Sequence, residues 1–242
     1  MNAVLFAISF LFATLESSPE VQKWLENVDA ARNAFPEALI RARATQITGG
    51  QPTGSAEFEI YVKGQDRSLI VFRGGTNSGR RILSVGDRMW LMVPGASRPV
   101  PITANQRLMG GASIGDVARL RFASEYTAVA RPGTETVNGR TCRVLDLAAK
   151  SPKAAFPKVT LSYDEADRVP ARIVFTLASG KPARQVDFTK FSRQDGRTTV
   201  AEMEVRDLLT SESKAVTRLE YLSYKPAKLD DAIFTTQGAS GV

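Results

Sequence analysis

Apolar residues recur at Val21, Trp24, Leu25 and Val28, the i, i+3, i+4, i+7 spacing of one helix face. Ser18 and Pro19 precede them as an N-cap and a first-turn proline, so the pattern predicts a helix over 19–34. Phe35-Pro36 ends it, because the residue before a proline is pushed out of helical geometry. A short second helix is read over 36–44, and Thr48-Gly49-Gly50-Gln51-Pro52 as a loop. From there the period changes to two. Phe58, Ile60 and Val62 alternate with Glu57, Glu59 and Tyr61, the mark of a half-buried strand. Further strands are predicted over 68–73, 80–85, 88–93, 126–130, 141–148, 158–164, 171–177, 185–191, 198–208 and 215–224, separated by turn residues such as Gly64-Gln65-Asp66, Gly86-Asp87 and Asn138-Gly139.

That makes about eleven strands at hairpin spacing, with none of the interleaved helices a parallel sheet requires. An antiparallel sheet this large curls or splits, so the fold class is mainly β: a single curled sheet forming an unclosed barrel. The stretch 94–125 breaks the rhythm with prolines, Gly110-Gly111 and a helical reading over 113–120, capped by Ser113 with Asp116 at N3. This insertion and the helix at 19–34 are the natural lid over the open barrel. No internal repeat or linker divides the chain, so 18–242 reads as one domain.

Residues 1–15, MNAVLFAISFLFATL, are apolar and uncharged. They are too short to span a bilayer, which takes about 20 residues, and match the apolar region of a secretory signal. Residues 1–17 are therefore read as a signal segment and the protein as exported to the periplasm. No basic residue precedes the apolar run, and Glu16–Ser18 is a poor cleavage site; a buried N-terminal strand is the other reading. No cysteine lies near enough to carry a lipoprotein anchor.

Composition narrows the chemistry. There is no histidine, and Cys142 is the only cysteine. Ser-His-Asp and Cys-His nucleophiles, His-ligated metals, an internal disulfide and iron–sulfur clusters are all excluded. Ser151-Pro152-Lys153 and Ser211-Glu212-Ser213-Lys214 lack the helical spacing of a serine–lysine enzyme. Asp164-Glu165-Ala166-Asp167 reads as a hairpin turn, with a hard-cation site as the alternative. The expectation is a binding protein, not an enzyme, with no cofactor and no metal.

Charge is uneven. Residues 73–143 hold eleven Arg, no Lys and four acids (Asp87, Asp116, Glu125, Glu135), an excess equal to the whole chain's +7. Such a region faces an anionic partner, or merely solvates the sheet. No helix-turn-helix, finger or RNP-type motif accompanies it, so nucleic acid is not expected.

The run Gly86-Asp87-Arg88-Met89-Trp90-Leu91-Met92-Val93-Pro94, then Arg98 and Ile102, then Met109-Gly110-Gly111-Ala112-Ser113-Ile114-Gly115-Asp116-Val117, resembles the outer-membrane lipoprotein-sorting (LolA/LolB-like) family and, more narrowly, its uncharacterised periplasmic sorting-type branch. Asn138-Gly139-Arg140-Thr141-Cys142, Val169-Pro170, Ser179-Gly180-Lys181 and Asp230-Asp231-Ala232-Ile233-Phe234 sit where that family places similar features. The likeness extends from about Pro36 to Thr235. It implies an eleven-stranded unclosed barrel with a helical lid over a hydrophobic cavity, used to carry acyl chains of lipids or lipoproteins across the periplasm or to sense them.

From the alternation, Phe58, Ile60, Val62, Ile70, Phe72, Trp90, Met92, Phe188, Met203, Val205, Leu219 and Tyr221 are candidates for the cavity wall, or for plain core. Trp24, Leu25, Leu108, Met109 and Ile114 are the lid candidates. A monomeric carrier of lipid or lipoprotein acyl chains, working with an inner-membrane exporter or an outer-membrane acceptor, is the leading expectation. The alternative is an adaptor of the same fold that docks a membrane protein through the basic 73–143 region, with Arg80, Arg81 and Arg107 foremost.

Overall fold

Fourteen strands hydrogen-bond into one antiparallel sheet in the computed structural model, which describes residues 16–74, 77–103, 106–110, 112–113, 121–152, 154, 156–209 and 215–242. The chain opens with α1 (Pro19–Arg32), then β1 (Glu37–Thr48), β2 (Gln51–Lys63), β3 (Arg67–Phe72), β4 (Arg81–Val85), β5 (Arg88–Met92) and β6 (Val100–Ile102). A separate small hairpin follows, β7 (Arg107–Met109) with β8 (Ala112–Ser113), then a single helical turn α2 (Phe122–Glu125). The rest is β9 (Tyr126–Ala130), β10 (Glu135–Val137), β11 (Arg140–Ala149), β12 (Lys158–Asp164), β13 (Val169–Thr176), β14 (Pro182–Gln194), β15 (Arg197–Asp207) and β16 (Val216–Pro226), closing in two 3-10 turns, Asp231–Phe234 and Gly238–Gly241.

The sheet runs in the order β10-β11-β12-β13-β14-β15-β16-β1-β2-β3-β4-β5-β6, with β9 also paired to β11. The only neighbours not adjacent in sequence on that path are β16 and β1, so the first and last long strands of the chain meet at its centre. β10 and β6 end the path without pairing to each other, so the barrel stays open. Register shifts at Arg41/Ala42, Ser162/Tyr163 and Phe188/Lys190 bend individual strands, as bulges do.

The inner face holds the main core, which joins α1 to side chains from β1 through β4 and from β11 through β16. α1 starts as its sequence predicts: the Ser18 hydroxyl accepts the N–H of Val21 at 3.3 Å, and Pro19 occupies the first turn. Its buried stripe is Val21, Trp24, Leu25, Val28 and Ala31. Trp24 stacks on Tyr163 of β12 with ring centroids 5.6 Å apart, and Asn27 donates to the Tyr163 hydroxyl at 2.8 Å.

Three expectations need correcting. Residues 36–44, read as a helix, belong to β1. Ala38, Ile40, Ala42 and Ala44 are buried while Glu37, Leu39, Arg41 and Arg43 are less so, a period of two hidden by the helix propensity of an Ala/Arg/Leu-rich stretch. Pairing to strands on both sides, β2 and β16, overrides that propensity. The strands outnumber the eleven expected, because β1, β6, β7, β8 and β10 were read as helix or loop. Finally, the insertion expected to help form the lid holds the β7–β8 hairpin, with Ser113, read as the cap of a helix over 113–120, ending β8. Residues 114–120, the rest of that helical reading, lie outside the described residues, as do residues 1–15 of the signal segment.

The hairpin turns at Gly110, whose φ of +53° suits glycine. A Cβ at this position would collide with the hydroxyl of Thr217 on β16, so the hairpin lies tight against the inner face. Leu108 and Ala112 join the main core, and Arg184 donates to the Ser113 hydroxyl at 2.7 Å. Among the described residues, the cover over the inner face is thus α1, the single turn α2 and this hairpin.

Candidate functional site

A cavity of about 450 Å³ opens at one end of the barrel, between the C-terminal half of α1, the start of β1, the β2–β3 turn, α2 and the β14–β15 turn. Its volume falls within the roughly 300–1,000 Å³ typical of small-molecule sites. Phe35, Ile40, Val62 and Tyr224 supply the apolar wall. The Phe35 and Tyr224 rings lie 6.0 Å apart, Tyr224 stacks on Tyr221 at 5.8 Å, and the Tyr224 hydroxyl donates to the carbonyl of Val200 at 2.7 Å. Burial pushes the Tyr224 phenol well above its ordinary range, so it is neutral.

The rim is polar. Arg32, Arg67, Arg121 and Arg197 line the cavity with Glu26 and Asp29. Arg32 stands in the last turn of α1, where the helix dipole favours a cation, and lies over the Phe122 ring at 5.8 Å. Arg67 pairs with Asp231 at 2.7 Å, and Arg121 with Glu125 at 3.5 Å. Arg197 donates to the carbonyl of Ala34 at 2.7 Å and lies over Phe35 at 5.7 Å. Asp29 points the other way chemically: its two oxygens accept the N–H groups of Phe122 and Ala123 at 2.9 and 3.0 Å, tying α1 to α2. Burial outweighs those bonds and raises its pKa to about 6.

One polar group on the wall has no partner. Ser68, on β3, is buried and lines the cavity, and its Oγ makes no hydrogen bond among the described residues. Ser84 sits opposite it in the β3–β4 register, and its buried Oγ is equally unpartnered.

Most of the residues picked from the sequence sit behind this cavity. Phe58, Ile60, Ile70, Phe72, Phe188, Met203, Val205 and Leu219 are buried in the inner core, and Tyr221 packs at its margin. Val62 both borders that core and lines the cavity. Trp24, Leu25 and Leu108 join the core from the covering side. Met109 is in β7, and Ile114 lies outside the described residues.

Trp90 and Met92 are placed on the other side of the sheet. They pack with Leu69, Val71, Leu83 and the C-terminal Phe234 and Ala239 in a second core, while Met89 and Leu91 face the inner one. The C-terminal segment covers the outer face of β3–β5, so both faces are apolar and alternation cannot say which is inside. Arg88 lies over Trp90 at 5.4 Å.

The basic 73–143 region is neutralised in part by acids from beyond its limits. Arg73 pairs with Glu59, Arg131 with Asp146, Arg140 with Asp164 and Asp167, and Arg143 with Glu165, at 2.7–2.9 Å. Arg81 holds the chain's last residue, donating to the Val242 oxygen at 3.1 and 2.9 Å. Arg80 is partly buried beside it, and Arg107 lies in β7. The arginines that line the cavity come from four places distant in sequence, residues 32, 67, 121 and 197, of which only Arg121 belongs to that region. The residues missed were these arginines with Phe35, Ile40, Ser68 and Tyr224, and only Arg32, a cation ending a predicted helix, carried a local signal.

Asp164 accepts the N–H groups of Ala166 and Asp167 at 3.0 and 3.2 Å, the side-chain turn its sequence suggests. Among the described residues no group of three or more Cys, Asp and Glu side chains is arranged to hold a metal ion. Cys142 is buried in β11, and burial pushes its thiol up to about 11. The Ser151–Lys153 and Ser211–Lys214 stretches lie partly or wholly outside the described residues.

The fold recurs in solved structures. A LolA superfamily protein from Nitrosomonas europaea superposes with a TM-score of 0.79 at 24% identity, over 89% of this chain and 97% of that one. A DUF1329 family protein from Desulfovibrio piger gives 0.78 at 19% identity, over 92% and 98%. A putative outer membrane lipoprotein-sorting protein domain from Vibrio parahaemolyticus gives 0.76 at 14% identity, over 90% and 97%. No curated protein matches the sequence. At these identities the likeness establishes the LolA-type architecture of an open barrel with a covering helix. Residues 64–238, most of the chain, match the profile of a family described as "uncharacterized protein", and the chain belongs to that family.

Proposed function

We propose that this protein is a periplasmic carrier that takes the acyl chain of a lipid or lipoprotein into the cavity beneath α1 and moves it between membranes. The observation that carries the reading is the cavity itself: about 450 Å³, walled by Phe35, Ile40, Val62 and Tyr224 and opening through a polar rim. Covering an alkyl chain there is worth about 0.8 kcal/mol per methylene kept from water, which offsets the cost of taking the chain out of a bilayer. The apolar, signal-like sequence of residues 1–15 and the likeness to a putative outer membrane lipoprotein-sorting protein domain from Vibrio support the compartment and the cargo class.

The adaptor reading has less support, since Arg73, Arg131, Arg140 and Arg143 of the basic region are paired with acids of this chain and Arg81, one of its three foremost arginines, holds the last residue. The test is native mass spectrometry of protein purified from membranes, with uptake of a fluorescent acyl probe in parallel. Co-purifying lipid is expected. A lipid-free protein that takes up no probe would contradict the proposal.

A further inference from the structure

The rim of the cavity is more specific than an apolar pocket needs. Covering an alkyl chain requires no cation, yet four arginines line the cavity, together with Glu26 and Asp29. One of those carboxylates is occupied, since both Asp29 oxygens accept backbone N–H groups of α2. Among the described residues no carboxylate pairs with Arg197; its guanidinium is oriented by the Ala34 carbonyl and the Phe35 ring, an arrangement that holds the planar group rigid. Among the described residues, the carboxylate paired with Arg121 is that of Glu125, at the longer distance of 3.5 Å.

A second, independent feature points to a ligand with polar atoms. Ser68 is nine-tenths or more buried, lies on the cavity wall and has no hydrogen-bond partner among the described residues. Leaving a buried hydroxyl unsatisfied is costly, so such groups in a binding cavity mark where a ligand's acceptor or donor is met. Arginine, with its fork of donors, is the residue suited to carboxylate and phosphate oxygens.

We infer that the cavity takes an amphiphile with an anionic head, a carboxylate or a phosphate, held by Arg197, Arg121 and the Ser68 hydroxyl while a single alkyl chain lies against Phe35, Ile40, Val62 and Tyr224. This deepens the carrier proposal and rests on it. The head is the part that selects; the chain is the part that water expels.

The test displaces a dansyl-labelled fatty acid from the full chain with three competitors sharing one alkyl chain: oleate, oleyl phosphate and oleyl alcohol. A charge-assisted hydrogen bond supports a preference of about tenfold or more for an anionic head over the alcohol. The better of the two anions then identifies the head. Arg197→Gln and Arg121→Gln, each checked by thermal melting, are expected to narrow the gap between anion and alcohol to below about threefold. Equal competition by all three compounds, or a gap that neither variant narrows, overturns the anionic-head inference and leaves the acyl carrier standing. No binding of the probe or of any competitor overturns both.

Discussion

Asp29 and Phe122, ninety-three residues apart, are joined by a 2.9 Å hydrogen bond from the Phe122 backbone N–H to the Asp29 carboxylate. The other carboxylate oxygen takes the next N–H, that of Ala123. Through this one side chain, α1 holds the turn that covers the side of the cavity, and Gln22 adds a bond to the Ala123 carbonyl at 3.3 Å.

Burial lifts the Asp29 pKa from 3.8 to about 6, against the backbone bonds and Arg32, which lower it, and with Glu125, which raises it slightly. The folded state therefore holds this proton more tightly than the unfolded chain. Its contribution to stability is fully present below about pH 4 and is lost as pH rises through about 6; the gap corresponds to roughly 3 kcal/mol. Urea unfolding of the wild type and of Asp29→Asn across pH 4 to 7 should show their stability difference shifting against the wild type as pH rises. A difference independent of pH would refute the assignment.

The β7–β8 hairpin gives a second test. Gly110→Ala combines a left-handed φ with a collision against the Thr217 hydroxyl, so a loss of about 2 kcal/mol is expected. Thr217→Ala removes the atom it meets. In a double-mutant cycle the pair should cost less than the sum of the single changes by about 1 kcal/mol, leaving mainly the backbone penalty. Strict additivity would mean the hairpin does not rest on β16.

A third concerns the outer face of β14. Asp187 is buried and accepts Arg172 Nε at 2.6 Å and Gln185 Nε2 at 2.7 Å while pairing with Arg206. Asp187→Ala leaves two guanidinium groups without this partner. Both are partly exposed, so water compensates in part and the expected loss is about 2 kcal/mol, below that for a fully buried pair. Raising the salt concentration should shrink the difference from the wild type.

Cys142 offers a simple probe of opening. It is buried, and its thiol is held at about 11, so almost none is thiolate at neutral pH. A disulfide reagent at pH 8 should leave the folded protein unmodified and label it stoichiometrically in denaturant. Rapid labelling of the native state would show that β11 opens readily.

The parts of this architecture that could be read from the sequence are those whose side chains contrast. α1 was legible because Val21, Trp24, Leu25 and Val28 stand out from charged neighbours, and β2 because Phe58, Ile60 and Val62 alternate with polar residues. β1 was not, because its inner face is built from alanines, whose helix propensity masks a period of two. Trp90 and Met92 pack in the outer core, which alternation does not reveal because the 3-10 turns at the C-terminus bury the outer face of β3–β5 as well. The cavity escaped most of all. Its wall joins one residue each from β1, β2 and β16 with Phe35, and its arginines come from the end of α1, the starts of β3 and β15 and the residue before α2, a neighbourhood made only by folding.

The central claim, that an acyl chain occupies this cavity, is tested most directly by filling it. Val62→Trp puts a large ring into the apolar wall, whereas Val129→Trp adds the same ring to an exposed strand position. With folding confirmed by circular dichroism, Val62→Trp should weaken uptake of a fluorescent acyl probe about tenfold or more, the equivalent of losing two buried methylenes, and Val129→Trp should leave it unchanged. Undiminished binding by Val62→Trp would contradict the account.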